Sequence, residues 1–175
     1  MGQYFKIVNV SKKQFIDIDD LGENNKLGFI GQGLNGIVLG RLLTSSGKDW
    51  ENDFYEVFGN PNSDKIFMGV WAGDKIVVAG DYDEPDTNGV ITTDTDNTNR
   101  NLYDNTESDY ENITDEIIKW LANDEQTAEM LVKRAEKDSE LLQKLSDLVF
   151  IEHNKQMKES LEKIIGSDWT KRLKK

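Results

Sequence analysis

The sequence predicts an α+β fold: a small antiparallel β-sheet with short helices, followed by an acidic loop and a C-terminal helical hairpin. Three observations carry that expectation. Residues 1–82 contain short apolar runs separated by turn-forming Gly, Ser, Asn and Asp residues. Residues 83–112 are dominated by Asp, Glu, Asn, Thr and Ser, a composition too poor in apolar side chains to fold by itself. After Asn123 neither Gly nor Pro occurs until Gly166, and Leu131, Ala135, Leu142, Leu145 and Val149 follow a helical period. The resulting organisation is an α+β domain over 1–104 and a helical C-terminal extension over 105–175.

Each element has its own signal. "QYFKIVNV" (3–10) alternates as a strand does, "SKK" turns the chain, and "QFIDI" returns as the second arm of a hairpin. "KLGFI" reads as a third, short strand. "LNGIVLGRLLTSS" has helical spacing, with Ile37, Leu39, Leu42 and Leu43 on a broad face and Asn35 as its cap. "DWENDFYEVFG" reads as a second short helix, with acids in its first turn and Gly59 after its end. "KIFMGVW" and "KIVVAGDY" flank "AGD", which predicts a hairpin with Gly73-Asp74 at its tip and Val77 paired to a strand over 66–71. Thr114, Asp115 and Glu116 open a helix through "IIKWLA", and Asn123 or Asp124 caps the next one. The following stretch reads as one long helix or as two broken near "EHNK". The run "LVFI" (148–151) is apolar all round, which predicts burial on more than one side. "SDWTKRLKK" adds a capped final turn.

Composition excludes several chemistries. The chain has 175 residues, enough to bury a core without disulfides or metals. It has no cysteine, so disulfides, zinc–thiolate sites and cysteine nucleophiles are excluded, and a single histidine, His153, rules out a multi-imidazole site within one copy. No nucleophile-elbow pattern GxSxG occurs. "MGQYFKIVNV" has no signal-peptide character and no apolar run is long enough to span a bilayer, so the expected location is cytoplasmic, away from membranes. The net charge is −12, and residues 81–125, with 14 acids and two bases, hold all of that excess. Direct binding of nucleic acid through a basic patch is therefore not expected.

Two motifs compete with a purely electrostatic reading. Gly31-x-Gly33-x-x-Gly36 follows a possible strand and opens a helix, as a dinucleotide fingerprint does. The next segment should then be a parallel strand ending in an acid, and "DWENDFYEVFG" has helical spacing instead. The acids around Asp81 could hold Ca²⁺ or Mg²⁺ through oxygen ligands. The EF-hand pattern fails, since counting from Asp94 the sixth position is Asn99 and the twelfth is Asn105. No cofactor and no metal are assigned.

"MGQYFKIVNVSKKQF", "KLGFIGQGLNG", "WAGDKIVVAGDYDE" and "NLYD" together resemble an uncharacterised family of bacterial and bacteriophage proteins. Its members open with a GQYYK-like stretch and carry a WxGDxIVxAGDYxD core. The resemblance covers residues 1–104 and implies a shared fold rather than a chemistry. The family's signature falls on Gly2, Gln3, Tyr4, Lys6, Trp71, Gly73, Asp74, Gly80, Asp81, Tyr82 and Asp83.

The leading functional expectation is a non-catalytic acidic interaction protein that presents Asp81, Asp83, Glu84, Asp86, Asp94, Asp96 and Asp104, or its helical face, to a basic protein surface such as that of a nucleic-acid-binding protein. Its concrete form, given the resemblance, is a phage-encoded inhibitor of a host nuclease or defence complex. The alternative is a small enzyme or a nucleotide- or metal-binding protein using Asp81 and Asp83 near the glycine-rich turn.

Overall fold

The computed structural model describes residues 3–44, 66, 68–85, 92–93 and 99–173. The fold is α+β, as the sequence predicts. Strand β1 (Phe5–Asn9) turns at residues 10–13 and returns as β2 (Gln14–Ile16), antiparallel, with Ile7 opposite Ile16 and Val8 opposite Phe15. Lys13 takes a left-handed φ of 54° in the turn, and Asn9 Oδ1 accepts from Lys12 N at 2.9 Å. Strand β3 (Ile76–Gly80) pairs antiparallel with the other edge of β1, from Phe5 opposite Gly80 to Asn9 opposite Ile76. β6 (Glu111–Asn112) adds in parallel beside β2, so the sheet is mixed, in the order β3-β1-β2-β6. A separate two-stranded ladder joins β4 (Thr92–Thr93) to β5 (Asn99–Arg100).

The helices are α1 (Gly33–Leu43), α2 (Leu102–Asp109), α3 (Thr114–Leu121), α4 (Glu125–Ala135), α5 (Ser139–Phe150) and α6 (Lys155–Ile164). Asp124, Asp138 and Asn154 each place a side-chain oxygen on backbone N–H groups at the start of α4, α5 and α6. Such caps satisfy donors that a helix start leaves without partners.

Several local expectations are corrected. "KLGFI" is not a strand: Leu27–Phe29 form a 3₁₀ turn. Residues 68–73 are turns, so Val77 does not pair with a strand over 66–71 but with Val8 of β1. Trp71 explains this, because its fully buried side chain is drawn into the core while its indole Nε1 donates to Gln14 Oε1 at 3.0 Å. Gly73-Asp74 is still a turn, with Gly73 at φ 84° and Asp74 Oδ2 accepting from the buried Asn9 Nδ2 at 2.8 Å. Asn35 is not a cap; it lies buried inside α1, where neither side-chain amide atom has a hydrogen-bond partner among the described residues. Residues 102–109, read as acidic loop, form α2, because Asn101 Oδ1 accepts from Asp104 N at 2.8 Å and Leu102 buries itself. The long helical stretch is broken twice, before Ser139 as well as near Asn154. The helix expected at 49–59 lies outside the described residues.

The sheet has apolar contacts on both faces. Phe5, Ile7 and Ile16 join a large cluster with Leu34, Val38, Leu42 and Trp71, together with Ile117, Leu131, Leu145, Leu161 and Trp169. That cluster draws on residues before and after position 104. On the other face Val8, Phe15 and Ala79 pack with Leu102 of α2, flanked by Tyr103 and Tyr110.

Two glycines of α1 differ in what surrounds them. A Cβ on Gly36 would lie 2.6 Å from the Gly31 carbonyl oxygen, whereas a Cβ on Gly40 would meet nothing within 4 Å. Replacing glycine by alanine in a helix interior ordinarily stabilises by up to about 1 kcal/mol. Gly40→Ala is expected to do so, while Gly36→Ala is expected to destabilise by about 1–3 kcal/mol, since backbone must shift to relieve the overlap. Denaturant melts of the two variants check the opposite signs.

Candidate interaction surface

The glycine-rich turn builds a helix start that is already filled. Gly33 has φ 56°, and Glu23, 8% exposed, sets Oε1 3.1 Å from Leu34 N in the first turn of α1. Its other oxygen meets Arg134 Nη2 of α4 at 3.1 Å. A Cβ on Gly33 would come within 2.7 Å of that carboxylate. An anion at a helix N-terminus is favoured by the exposed N–H groups and the macrodipole. Here a side chain supplies it, in the place a pyrophosphate takes in a dinucleotide fold.

The acids that follow β3 are partly structural. Asp81 Oδ1 accepts from Tyr4 N at 2.9 Å, and Asp81 N donates to Tyr4 O at 3.0 Å. Asp83 accepts from Gln3 Nε2 at 3.0 Å and from Gly80 N at 2.9 Å. The two carboxylates thus fasten the entry of β1 to the exit of β3. Gly80 permits this, because a Cβ there would overlap the Gln3 amide. Asn101 brings Asp104 to the same place: its Nδ2 donates to Asp81 O at 3.1 Å while its Oδ1 receives Asp104 N. Glu84 and Asp104 are exposed. Asp86, Asp94 and Asp96 lie outside the described residues.

Under α2 sits Lys6, 3% exposed on β1. Its ammonium lies 3.3 Å from both Thr106 Oγ1 and Glu107 Oε1 of α2 and 4.3 Å from the centroid of the Tyr103 ring. Burial, and then the fields of Asp17, Asp81, Asp19 and Glu107, push the Tyr103 hydroxyl up to about 12. Burial also holds Asp17 above the ordinary carboxylate range, against the opposing pull of Lys6.

A second acidic surface lies on the helical half. α3 and α5 flank a groove of about 340 Å³, lined by Ile118, Leu148 and Ile151 and by Asp115, Glu116, Lys119, Lys144, Asp147 and Glu152. Lys119 pairs with Glu152 at 2.7 Å, and Lys144 pairs with Asp115 at 2.9 Å and Asp20 at 3.3 Å. The hydrogen bond to Glu152 raises Lys119 above the ordinary lysine range. Burial depresses Lys144, but its contacts with Asp115 and Asp20 outweigh this and raise it. A second cleft of about 260 Å³ shares Lys144 and adds Asp19, Asp20, Asp138, Glu140 and Leu141. The two together carry eight carboxylates against two lysines. Partial desolvation, then repulsion by Asp17 and Asp20, lifts Asp19 above the usual carboxylate range.

Sequence reasoning placed the acids of interest in the stretch around 81–104 and missed this groove. The missed signal was "LVFI". Leu148 is buried, but Phe150 is 56% and Ile151 72% exposed, correcting the expectation that the run is buried on several sides. Among the described residues no group of three or more His, Cys, Asp or Glu side chains is arranged to hold a metal ion, and no helix is long and apolar enough to cross a membrane. No family model, curated protein or solved structure matches this chain.

Two outcomes test the roles of these acids. Asp83→Ala removes an acceptor of two hydrogen bonds and is expected to cost about 1–3 kcal/mol, whereas Glu84→Gln, on an exposed side chain, is expected to stay within about 0.5 kcal/mol of the parent. Chemical denaturation separates them. For Asp17, the folded protein holds the carboxyl proton more tightly than the unfolded chain does. Stability therefore falls as pH rises from the unfolded value of 3.8 through the higher folded one, and the loss is complete above it. In Asp17→Asn that decline should disappear from the stability–pH curve, and ¹³C titration of the parent's Asp17 carboxyl should give a midpoint above 3.8.

Proposed function

We propose that this protein is a non-catalytic acidic interaction protein that acts by occupying a basic surface on another protein. The observation that carries this reading is the surplus of six carboxylates, eight against two lysines, along the paired clefts, with both lysines already engaged in ion pairs. Such a surface projects a negative field that steers a basic partner and speeds encounter. The acidic segment adds to it through Glu84 and Asp104, exposed beside the fastened Asp81 and Asp83. Asp86, Asp94 and Asp96 are proposed as contacts on charge alone. A nucleic-acid-binding protein supplies the required basic surface, and inhibition of a host nuclease or defence complex is the concrete form of the proposal.

The filled N-terminus of α1 favours this reading over a nucleotide-binding one, since a phosphate there would have to displace Glu23 from Leu34 N and Arg134.

The test is affinity capture from host lysate at two ionic strengths, with mass spectrometry of the bound proteins. Between about 0.01 M and about 0.1 M salt the Debye length shrinks from about 30 Å to about 10 Å. The captured set should be enriched in proteins with basic surfaces and should diminish across that range. A captured set without basic bias, or retention indifferent to salt, overturns the proposal.

A further inference from the structure

We infer that the groove between α3 and α5 is a docking site for a basic amphipathic helix of a partner protein, an inference that rests on the acidic-interaction reading and gives it a site. The groove has an apolar floor and lip as well as acids. Ile118 and Leu148, 2% and 5% exposed, form the floor. Ile151 stands at the lip with most of its side chain in solvent; Phe150, next to it in the chain, is also exposed but outside the groove lining. Two adjacent large apolar side chains at the end of a helix are costly to leave in water. Phe150 is held in place by Trp169, whose ring centroid lies 5.5 Å away.

The rim sets the charge of the occupant. Asp115 and Glu116 on α3 face the groove from one side, Asp147 and Glu152 from the other. The adjoining cleft extends the negative rim through Asp20 and Glu140. Lys119 and Lys144 already answer Glu152 and Asp115; a lone polycation would leave the lip uncovered, and a neutral apolar helix would leave Glu116 and Asp147 without a cation. An amphipathic helix with apolar residues at i, i+3, i+4 and i+7 and lysine or arginine along its flanks meets both demands. The groove follows α5 from Lys144 to Ile151, and the adjoining cleft continues back to Glu140, together about 16 Å, a track for three turns of such a ligand.

The probe is a synthetic helical peptide carrying leucines at that spacing and lysines elsewhere, added to the full chain labelled with ¹⁵N. Shift changes should concentrate on residues 115–121 and 144–152. Ile151→Ser, at a solvent-facing position that leaves the core intact, should weaken binding about tenfold. The pair Glu116→Gln and Asp147→Asn should weaken it several-fold. Glu159→Gln with Glu162→Gln on α6, which removes the same charge from exposed positions elsewhere, should change it less than about twofold. Equal weakening by the α6 pair, or shifts scattered over every acidic face, overturns the site. So does equal binding of a peptide with serines in place of its leucines, or full displacement by spermidine, since either would mark a cation site instead. Lysate partners that still bind Ile151→Ser in a salt-sensitive way would sink the groove while leaving the acidic-interaction reading standing; salt-insensitive capture would sink that reading itself.

Discussion

The burial of β1 along its whole length, on both faces, is the constraint around which the other elements are arranged. All five of its residues are buried, so the strand needs a partner at each edge and a cover on each side. β2 and β3 supply the edges. The helical half covers the face of Phe5 and Ile7. The face of Lys6 and Val8 poses a harder problem, because a lysine among apolar side chains must find compensation for its lost hydration. α2 solves it by contributing the Thr106 hydroxyl, the Glu107 carboxylate and the face of Tyr103. A polar, acid-rich helix thus belongs to the sheet, although its composition alone speaks for solvent.

How much of this was legible follows from the range of the interactions. The β1–β2 hairpin and the start of α3 at Thr114 depend on neighbours within a few residues, and their signals were read correctly; the cap of α4 was narrowed to Asn123 or Asp124, and it is Asp124. The segment 66–80 failed because two apolar runs around a Gly-containing turn look the same whether they pair with each other or diverge. Here one gives up Trp71 to the core and the other pairs with a strand some seventy residues earlier. The cap of α1 was read as Asn35 for the same reason: the group that meets its first turn, Glu23, comes from a separate turn and is fixed by Arg134 far along the chain. Phe150 and Ile151 could have been found. Leu141, Leu145 and Leu148 already define the inward face of α5 by their i, i+4, i+7 spacing, and Phe150 falls well off that stripe.

The acids divide into two populations by what they touch. Asp74, Asp81, Asp83 and Glu23 accept hydrogen bonds from backbone or buried amides and are part of the architecture. Asp115, Glu116, Asp147 and Glu152 line a groove whose two lysines are already committed. Sequence density highlighted part of the first group, because Asp81 and Asp83 lie close together in the chain. Asp115 and Glu116 are neighbours in the chain, but Asp147 and Glu152 join them only when α3 and α5 pack, so the groove's concentration of charge is only half visible along the sequence.

The narrow strand β6 has a consequence for self-association. Residues Glu111, Asn112 and Ile113 close the outer edge of β2, and they do so from nearly a hundred residues away. Exposed strand edges template pairing with other chains, and folds guard them with short, charged or covered strands. Opening of this short clasp would uncover the Lys13 and Phe15 carbonyls, which accept from Glu111 N and Ile113 N, beside the buried Phe15 and Ile16. The guard against edge-to-edge aggregation therefore lies in a two-residue strand carried by the half of the chain that does not build the rest of the sheet.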